Sequence, residues 1–176
     1  MGLTPEPEDL GTPTPDQAKI AGHLKAHLGD AYRGERVFRG ALSLFVAPEK
    51  ILDALGFLKT GPELLFEMLT DVTSVDRLPY REPGEPRFEV VYNLYSLTFN
   101  RRIFVKAPLE DGAPIASATA LWSGANYLER EVYDLMGIVF TGHPNLERIL
   151  TPDGWLGHPL RKDFPTRVDQ FPNLET

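Results

Sequence analysis

The sequence contains no cysteine among its 176 residues. This absence excludes disulfide bonds, iron–sulfur clusters with thiolate ligands and cysteine-type zinc sites. The sequence also lacks a glycine-rich phosphate-binding loop, and none of its apolar runs approaches the length that crosses a bilayer. If the protein serves in electron transfer, we therefore expect the electron carriers and the contact with a membrane to belong to partner chains.

Positive charge is scarce as well. The chain has 18 Lys and Arg residues against 25 Asp and Glu residues, and its formal net charge is -7. No basic stripe is visible, so nucleic acid is not the expected partner. A hydrophobic fraction of 42% is typical of a globular protein. The first residues lack a basic-then-apolar signal pattern, and we expect a cytoplasmic location.

Periodicity predicts three parts: a disordered lead over residues 1–13, an α/β domain over 14–137, and an extended partner-binding tail over 138–176. Helices are predicted to begin near Thr14, with a capping-box pattern, and at Pro48. Strands are predicted over residues 42–46, 64–75, 88–97 and 103–107. The predicted fold class is α+β, with helices packed on a mixed, mostly antiparallel sheet, followed by one further helix and the irregular tail.

The strand over 88–97 is apolar on both faces and is predicted to be central in the sheet. Residues 103–107 should return beside it as an antiparallel neighbour. Arg101, Arg102 and Lys106 then form a modest basic edge, which we interpret as solvated charge on an edge strand.

The further helix surrounds the stretch from Glu129 to Met136. Asn126 is predicted as its N-cap, because Glu129 follows at capping-box spacing. Gly137 stands where a left-handed residue ends a helix. Arg130 and Asp134 are four residues apart, so the plainest interpretation is a solvated charged face with an ion pair.

The tail combines many Pro and Gly residues with apolar side chains such as Trp155, Leu156, Leu160 and Phe164. It cannot bury these against itself, so either the α/β domain or a second protein must supply the surface. Its charges have the same two explanations. Arg148, Arg161 and Lys162 pair either with the acids of the preceding helix, holding the tail down, or with another subunit.

The order of these motifs is the most specific feature of the sequence. It runs through the helix 129–134, then Gly137, His143-Pro144, the triplet 148–150 and finally residues 157–163 (GHPLRKD). This pattern resembles the thirty-kilodalton subunit family of respiratory complex I, whose bacterial members are the C subunits of NADH–quinone oxidoreductase. The one departure is Glu147, where the family pattern has a second basic residue before Arg148.

The resemblance implies a non-redox structural subunit in the peripheral arm of a proton-pumping NADH–quinone oxidoreductase. It would brace the forty-nine-kilodalton (D) subunit of that complex on the cytoplasmic side of the cell membrane. Because that partner helps to form the quinone site, we call it the quinone-site subunit. Flavin, iron–sulfur clusters and quinone would be held by partner subunits, with no catalytic, cofactor or metal site in this chain. The residues predicted for the partner interface are Glu129, Arg130, Glu131, Asp134, His143, Arg148, His158, Leu160, Arg161, Lys162, Asp163 and Phe164.

Two alternatives remain at this stage. The first is the homologous subunit of a membrane-bound NiFe hydrogenase-type complex, which shares the same motifs. The second is a free-standing metal-dependent hydrolase, since Glu131, Asp134, His143, His158 and Asp163 are types of residue that build a divalent-metal or acid–base centre. No tight ligand spacing such as H-E-x-x-H accompanies them.

Overall fold

The computed structural model describes residues 10–165 of the chain. In that range, three α-helices and a six-stranded sheet form the domain, with a second sheet of two short strands beside it. The helices are α1 (Pro15–Leu28), α2 (Ile51–Thr60) and α3 (Ala125–Met136). The strands are β1 (Leu10–Gly11), β2 (Tyr32–Phe38), β3 (Ala41–Val46), β4 (Met68–Asp76), β5 (Phe88–Ser96), β6 (Arg101–Leu109), β7 (Ile115–Ala116) and β8 (Phe140–Thr141).

The large sheet has the order β1-β2-β3-β6-β5-β4. Its neighbouring strands are antiparallel except β3 and β6, which are parallel. The predicted α+β class and the mixed, mostly antiparallel sheet are therefore confirmed. Strand β5 lies between β6 and β4 and is buried along most of its length, as its doubly apolar pattern predicted.

One face of the sheet carries the hydrophobic core. Helix α1 begins with the predicted capping box of Thr14 and Gln17, and it buries Ile20 and Leu24. Apolar residues of α2 and α3 join the same cluster, together with alternating residues of β3, β5 and β6 such as Tyr92. Because side chains alternate along a strand, the residues between them lie on the opposite face, where most are half-buried or exposed.

Three expectations about the α/β domain are wrong. Residues Leu10–Gly11 are not part of a disordered lead, because they pair with β2; residues 1–9 of that prediction lie outside the described range. Strand β6 is interior rather than at an edge, so the charges of Arg102 and Lys106 are not edge charges. Helix α3 begins at Ala125 after Gly124, without a side-chain cap, and Asn126 is inside it.

None of the helices between residues 10 and 165 is both long and apolar enough to pass through a bilayer.

Candidate partner interface

Helix α3 carries a carboxylate that organises the chain following it. The side chain of Asp134 is fully buried. One of its oxygens, Oδ1, accepts hydrogen bonds from Nη1 of Arg148 at 2.8 Å and from the hydroxyl of Thr151 at 2.5 Å. The other, Oδ2, accepts from the backbone N–H groups of Ile149, Leu150 and Thr151 at 3.0, 2.7 and 2.9 Å. We call these residues the Asp134 cluster; it fastens residues 148–151 to α3.

The electrostatics of the Asp134 cluster favour the charged carboxylate. Burial alone raises the pKa of Asp134, but the hydrogen bonds from Thr151 and from the neighbouring backbone N–H groups outweigh it and hold that pKa well below its usual value. Five donors to one buried carboxylate are an ample replacement for its lost hydration. The solvated face that the sequence suggested for Asp134 is therefore wrong.

Arg130 does not pair with Asp134. Its guanidinium donates to the backbone oxygens of Glu147 and Arg148, both at 3.1 Å. Glu147 thus takes part through its main chain, while its carboxylate accepts from the side chain of Asn145 at 3.2 Å. The departure from the family pattern at Glu147 therefore leaves this contact with Arg130 in place.

The two tail histidines join the loop to the same helix. His143 lies 3.0 Å from the backbone oxygen of Asn126 through Nε2, and His158 lies 2.9 Å from the backbone oxygen of Asp134 through Nδ1. The ring of His158 sits directly over Gly137, the left-handed residue that ends α3 at a φ of 76°. A Cβ at Gly137 would lie 2.6 Å from that ring, so only glycine fits both the turn and the contact.

Glu129 faces the interior of the chain. It is fully buried and accepts hydrogen bonds from the hydroxyl of Ser117 and the backbone N–H of Ala118, each at 2.6 Å. Burial raises the pKa of Glu129, although these hydrogen bonds and the nearby His143 oppose that rise. Glu129 therefore joins α3 to the preceding turn and offers no surface to a partner. Of the acids on this helix, only Glu131 is exposed.

A second cluster holds the tail against the sheet. Arg87, just before β5, donates through Nε and Nη2 to both oxygens of the buried Asp76 at 3.1 and 2.8 Å. It also donates to Asp111 at 2.9 Å and to Asp163 at 2.7 Å. Arg161 bonds Asp111 at 2.8 Å and the carbonyl of Met136 at 2.8 Å, while the backbone N–H of Lys162 donates to Asp76 at 2.9 Å. We call these residues the Arg87 cluster.

The charges of the Arg87 cluster stabilise one another. Burial raises the pKa of Asp76, but the bonds from Arg87 and from two backbone N–H groups prevail and lower it to about 2. Hydrogen bonds donated to Asp76 and then to Asp163 raise the pKa of the Arg87 guanidinium above its usual value. The pKa of Asp163 is lowered, chiefly by its bond with Arg87. Tail residues 161–163 are thus bound by an ion-pair network whose centre, Arg87 with Asp76, is buried.

The structure brings the predicted interface residues together around α3, but many of them face inward. Sequence reasoning missed Asp76, Arg87, Asp111 and Thr151; the first three lie far from the tail in sequence, and no local pattern marks them. Towards solvent the tail leaves apolar side chains. Exposed among them are Ile149, Leu150, Leu156 and Leu160, at 37%, 59%, 62% and 52%. Phe164 is half-buried, stacked beside Trp155 at 6.5 Å between ring centroids.

The hydrolase alternative needs a cluster of metal ligands or of acid–base groups. Within residues 10–165 no three His, Asp or Glu side chains form a group that could hold a metal ion. Asp134 and Asp163 are each occupied by arginine, and both tail histidines contact backbone oxygens. The described residues therefore give that alternative no support.

Comparison with known proteins decides the family. The family model described as "Respiratory-chain NADH dehydrogenase, 30 Kd subunit" matches residues 44–170, which is most of the chain. The chain belongs to this family. The resemblance found in the motifs between residues 129 and 163 is therefore confirmed.

Individual members of this family are similar to the chain over most of their length. The C subunit of NADH-quinone oxidoreductase from Roseiflexus sp. strain RS-1 is 49% identical over 156 residues, covering 88% of this chain and 87% of that protein. The C subunit of Geobacter metallireducens is 52% identical over 129 residues, covering 73% of this chain and 76% of that protein.

Two solved structures share the fold. A trypsin-resistant fragment of Nqo5 is 34% identical with a TM-score of 0.64, and the match covers 74% of this chain and 99% of that one. A chain of the membrane-bound sulfane sulfur reductase, an archaeal respiratory membrane complex, is 25% identical with a TM-score of 0.68; this match covers 90% of this chain and 96% of that one.

Substitution of Gly137 by Ala tests the contact between the end of α3 and His158. We expect Gly137→Ala to lower the free energy of unfolding by more than the ~1–2 kcal/mol that a left-handed residue costs, because the new methyl group must also displace His158. Gly142→Ala is a matched control, since Gly142 has a φ of 80° and nothing within 4 Å of its Cβ position. Denaturant unfolding of both variants measures the difference. Equal losses would mean that the His158 contact contributes nothing.

Acid should release the tail before it unfolds the domain. Asp134 and Asp76 have lower pKa values in the folded chain than their ordinary value of 3.8, so the stability they contribute is complete above that value. It is lost as the pH falls through the folded-state pKa, which is about 2 for Asp76. We expect the fluorescence of Trp155 to change between about pH 4 and 2, measured in a Trp122→Phe background. A far-ultraviolet circular dichroism signal that falls at the same or higher pH would contradict the order.

Proposed function

We propose that this chain is the non-redox subunit of its family in the peripheral arm of a proton-pumping NADH–quinone oxidoreductase. In this role it braces the quinone-site subunit on the cytoplasmic side of the cell membrane. The observation that carries the proposal is the way in which segment 148–163 of this chain, a member of the family, is held against the domain. Two charge clusters, each with a buried carboxylate at its centre, hold this irregular segment in one position, and its leucines are left exposed.

The arrangement suits a fixed spacer between partners. An irregular segment held by ion pairs with a buried member has one defined shape. The segment therefore loses little further conformational freedom when a partner binds it. Exposed apolar side chains on such a segment are typical of a protein–protein contact. The leucines at 150, 156 and 160 supply them here, rimmed by charged side chains such as that of Lys162.

The chemistry of electron transfer is assigned to partner subunits. The sequence has no cysteine, so thiolate-ligated clusters of this chain are excluded. Flavin, iron–sulfur clusters and quinone would then lie on neighbouring chains, and this chain would keep them at fixed distances. The predicted interface residues Glu131, Leu160 and Lys162 remain available to a partner, since each of their side chains is exposed.

The second candidate is the equivalent subunit of another membrane-bound respiratory or NiFe hydrogenase-type complex. It is favoured by the likeness to a chain of the archaeal sulfane sulfur reductase complex. Purification of the tagged chain from its own host, with mass spectrometry of the associated subunits, separates the two. NADH-oxidising flavoprotein partners support the first candidate, and a hydrogenase or sulfur-reducing partner supports the second.

Two leucine substitutions test the contact surface directly. We expect the double change Leu156→Ser and Leu160→Ser to reduce recovery of the quinone-site subunit with the tagged chain by about tenfold or more. Each leucine that is buried against a partner contributes ~1.5–3 kcal/mol, and serine does not supply this contribution. Leu97→Ser, in the turn after β5, is the control, since Leu97 is 65% exposed and distant in sequence. Undiminished recovery with the double variant would refute this surface.

A further inference from the structure

The sheet has a second face that the function proposed above does not use. In register across β2, β3, β6 and β5, that face presents Arg36, Ser43, Phe104 and Asn93 in one row. The rows on either side contain the pairs Phe45 with Lys106 and Arg102 with Tyr95. We call Arg36, Phe45, Tyr95, Arg102, Phe104 and Lys106 the open face. Each of these side chains is half-buried or exposed, so the described part of the chain leaves this face at least partly open to solvent.

Cations on the open face are held in place by aromatic rings. Arg102 lies over the ring of Tyr95 at 5.8 Å, and Lys106 lies over Phe45 at 5.7 Å. Lys106 also bonds Glu89 at 2.8 Å, which neutralises it. Arg36 and Arg102 are different, because neither has a carboxylate partner among residues 10–165. A ring beneath a guanidinium orients it before any ligand arrives, which lowers the ordering cost of binding.

The sign of this charge is opposite to that of the whole molecule. The chain has a net charge of -7, yet the open face combines two uncompensated arginines with aromatic and small polar side chains. The acid in the row of Arg36 is Asp71, which stands on β4 at the far end of that row, about 19 Å away at the spacing of ~4.8 Å between strands. A ligand that runs diagonally across the face would therefore meet positive charge at Arg36 on β2 and, one row away, at Arg102 on β6.

We propose that the open face binds an acidic segment of a partner protein, with carboxylates on Arg36 and Arg102 and an apolar side chain on Phe104. This surface is separate from the leucines of the tail and lies on the opposite side of the sheet from α3. The proposal does not rest on the assignment to an NADH–quinone oxidoreductase. It makes the domain a brace with two contact surfaces instead of one.

The size and charge of the face argue for this occupant over others. Three rows about 7 Å apart on four strands about 4.8 Å apart span roughly 14 by 14 Å between their outermost positions, well below the ~800 Å² that each partner buries in a standard interface. A single segment fits that area. A second copy of this chain carries the same net charge of -7 and would be repelled over the rest of its surface. Anionic membranes and nucleic acids would repel a chain of this net charge.

Photo-crosslinking in the native complex tests the proposal. Phe104 is replaced by p-benzoyl-phenylalanine in the full chain, the complex is irradiated and purified, and the crosslinked peptide is sequenced by mass spectrometry. The same label at Phe38, which is 37% exposed at the edge of this face, provides a second site that perturbs the fold less. We expect both labels to capture one peptide of another protein with net negative charge.

Charge reversal provides the decisive control. We expect Arg36→Glu with Arg102→Glu to reduce the yield of that crosslink at least about tenfold, while the chain still co-purifies with its complex. Lys19→Glu with Lys25→Glu, two exposed positions on α1, should leave the yield within about twofold. A crosslink to phospholipid, to a second copy of this chain or to a segment without negative charge would overturn the proposal, as would no crosslink from either label. Loss of the complex itself with the charge reversal would also overturn the proposal, because the open face would then be part of the main assembly contact; failure of the unaltered chain to co-purify with a respiratory complex would instead count against the proposed function.

Discussion

Asp134→Ala should detach residues 148–160 from the domain while the sheet and α1 stay folded. The substitution removes the acceptor of five hydrogen bonds and leaves Arg148, which is three-quarters buried, without its counter-ion. Breaking an ion pair with a buried member costs ~3–5 kcal/mol, which exceeds what the local contacts of an irregular segment supply. Limited trypsin digestion should show early cleavage after Arg148, with the circular dichroism of the domain nearly unchanged, because Arg161 and Lys162 are still held by the Arg87 cluster.

Glu131→Ala is the matched control for this experiment. Glu131 lies on the same helix three residues away, and its side chain is exposed. Its loss should change trypsin sensitivity little, because surface charges contribute ~0–1 kcal/mol. If Asp134→Ala digests as slowly as the control, the Asp134 cluster does not hold the tail. If the whole domain unfolds instead, the cluster belongs to the folding core and not to a separable docking contact.

Arg87→Ala should have the larger effect on the free energy of unfolding. Asp76 is 2% exposed and would be left as a buried carboxylate that keeps only two backbone donors, those of Leu78 and Lys162. The same change frees Asp163 and one contact of Asp111, so both the sheet and the tail are affected. We expect a loss of ~3–5 kcal/mol in denaturant unfolding, with the tail also becoming sensitive to protease.

Arg77→Ala provides the comparison for Arg87. Arg77 follows β4 and pairs with Glu85 at 3.0 Å, but both side chains are about one-third or more exposed to water. Its removal should cost less than ~1 kcal/mol. If both variants lost a similar free energy of unfolding, burial would not be the reason that the Arg87 cluster stabilises the fold. Arg87→Lys keeps the charge without the fork geometry and should recover part of the stability.

Local patterns predicted the central strands and the helices of this fold, but not β1, β2, β7 or β8. Alternation of apolar residues predicted β3, β5 and β6, and the Thr14 capping box predicted the start of α1, because both signals depend on neighbours within a few residues. The central place of β5 followed from its apolar residues on both faces. The parallel pairing of β3 with β6 was not predicted, since it joins positions 42 and 103 and no local pattern encodes the partner.

The candidate site was predicted less well than the fold. Its motifs identified the family and the correct helix, but the contacts of Glu129, Arg130 and Asp134 are not those that spacing suggested. Asp134 pairs with Arg148 across a turn instead of with Arg130 along the helix. Arg87 was missed because its importance arises from three acids on separate elements. Such contacts exist only once the chain has folded.

The sequence alone left open whether the α/β domain or a second protein covers the apolar side chains of the tail. In the described range the α/β domain supplies part of it, through the two clusters and through the bond from the Leu160 N–H to the carbonyl of Leu135 at 3.0 Å. Internal pairing of the acids and bases is therefore observed. The role of the outer leucines in a partner contact stays a prediction, and the two explanations apply to different sides of the same segment.

The parallel contact between β3 and β6 also determines the order in which the molecule can assemble. On one side of it, β2 and β3 form a hairpin from adjacent residues; on the other, β5 and β6 do the same. The seam between these halves pairs Leu42 with Ile103 and so closes the longest loop among the described strand pairs, which is slow because the chain loses entropy before it gains contacts. Each hairpin can therefore form before the seam does. The hydrophobic core is completed only when Leu44 meets Val105 across the seam, and until then both halves expose strand edges to aggregation.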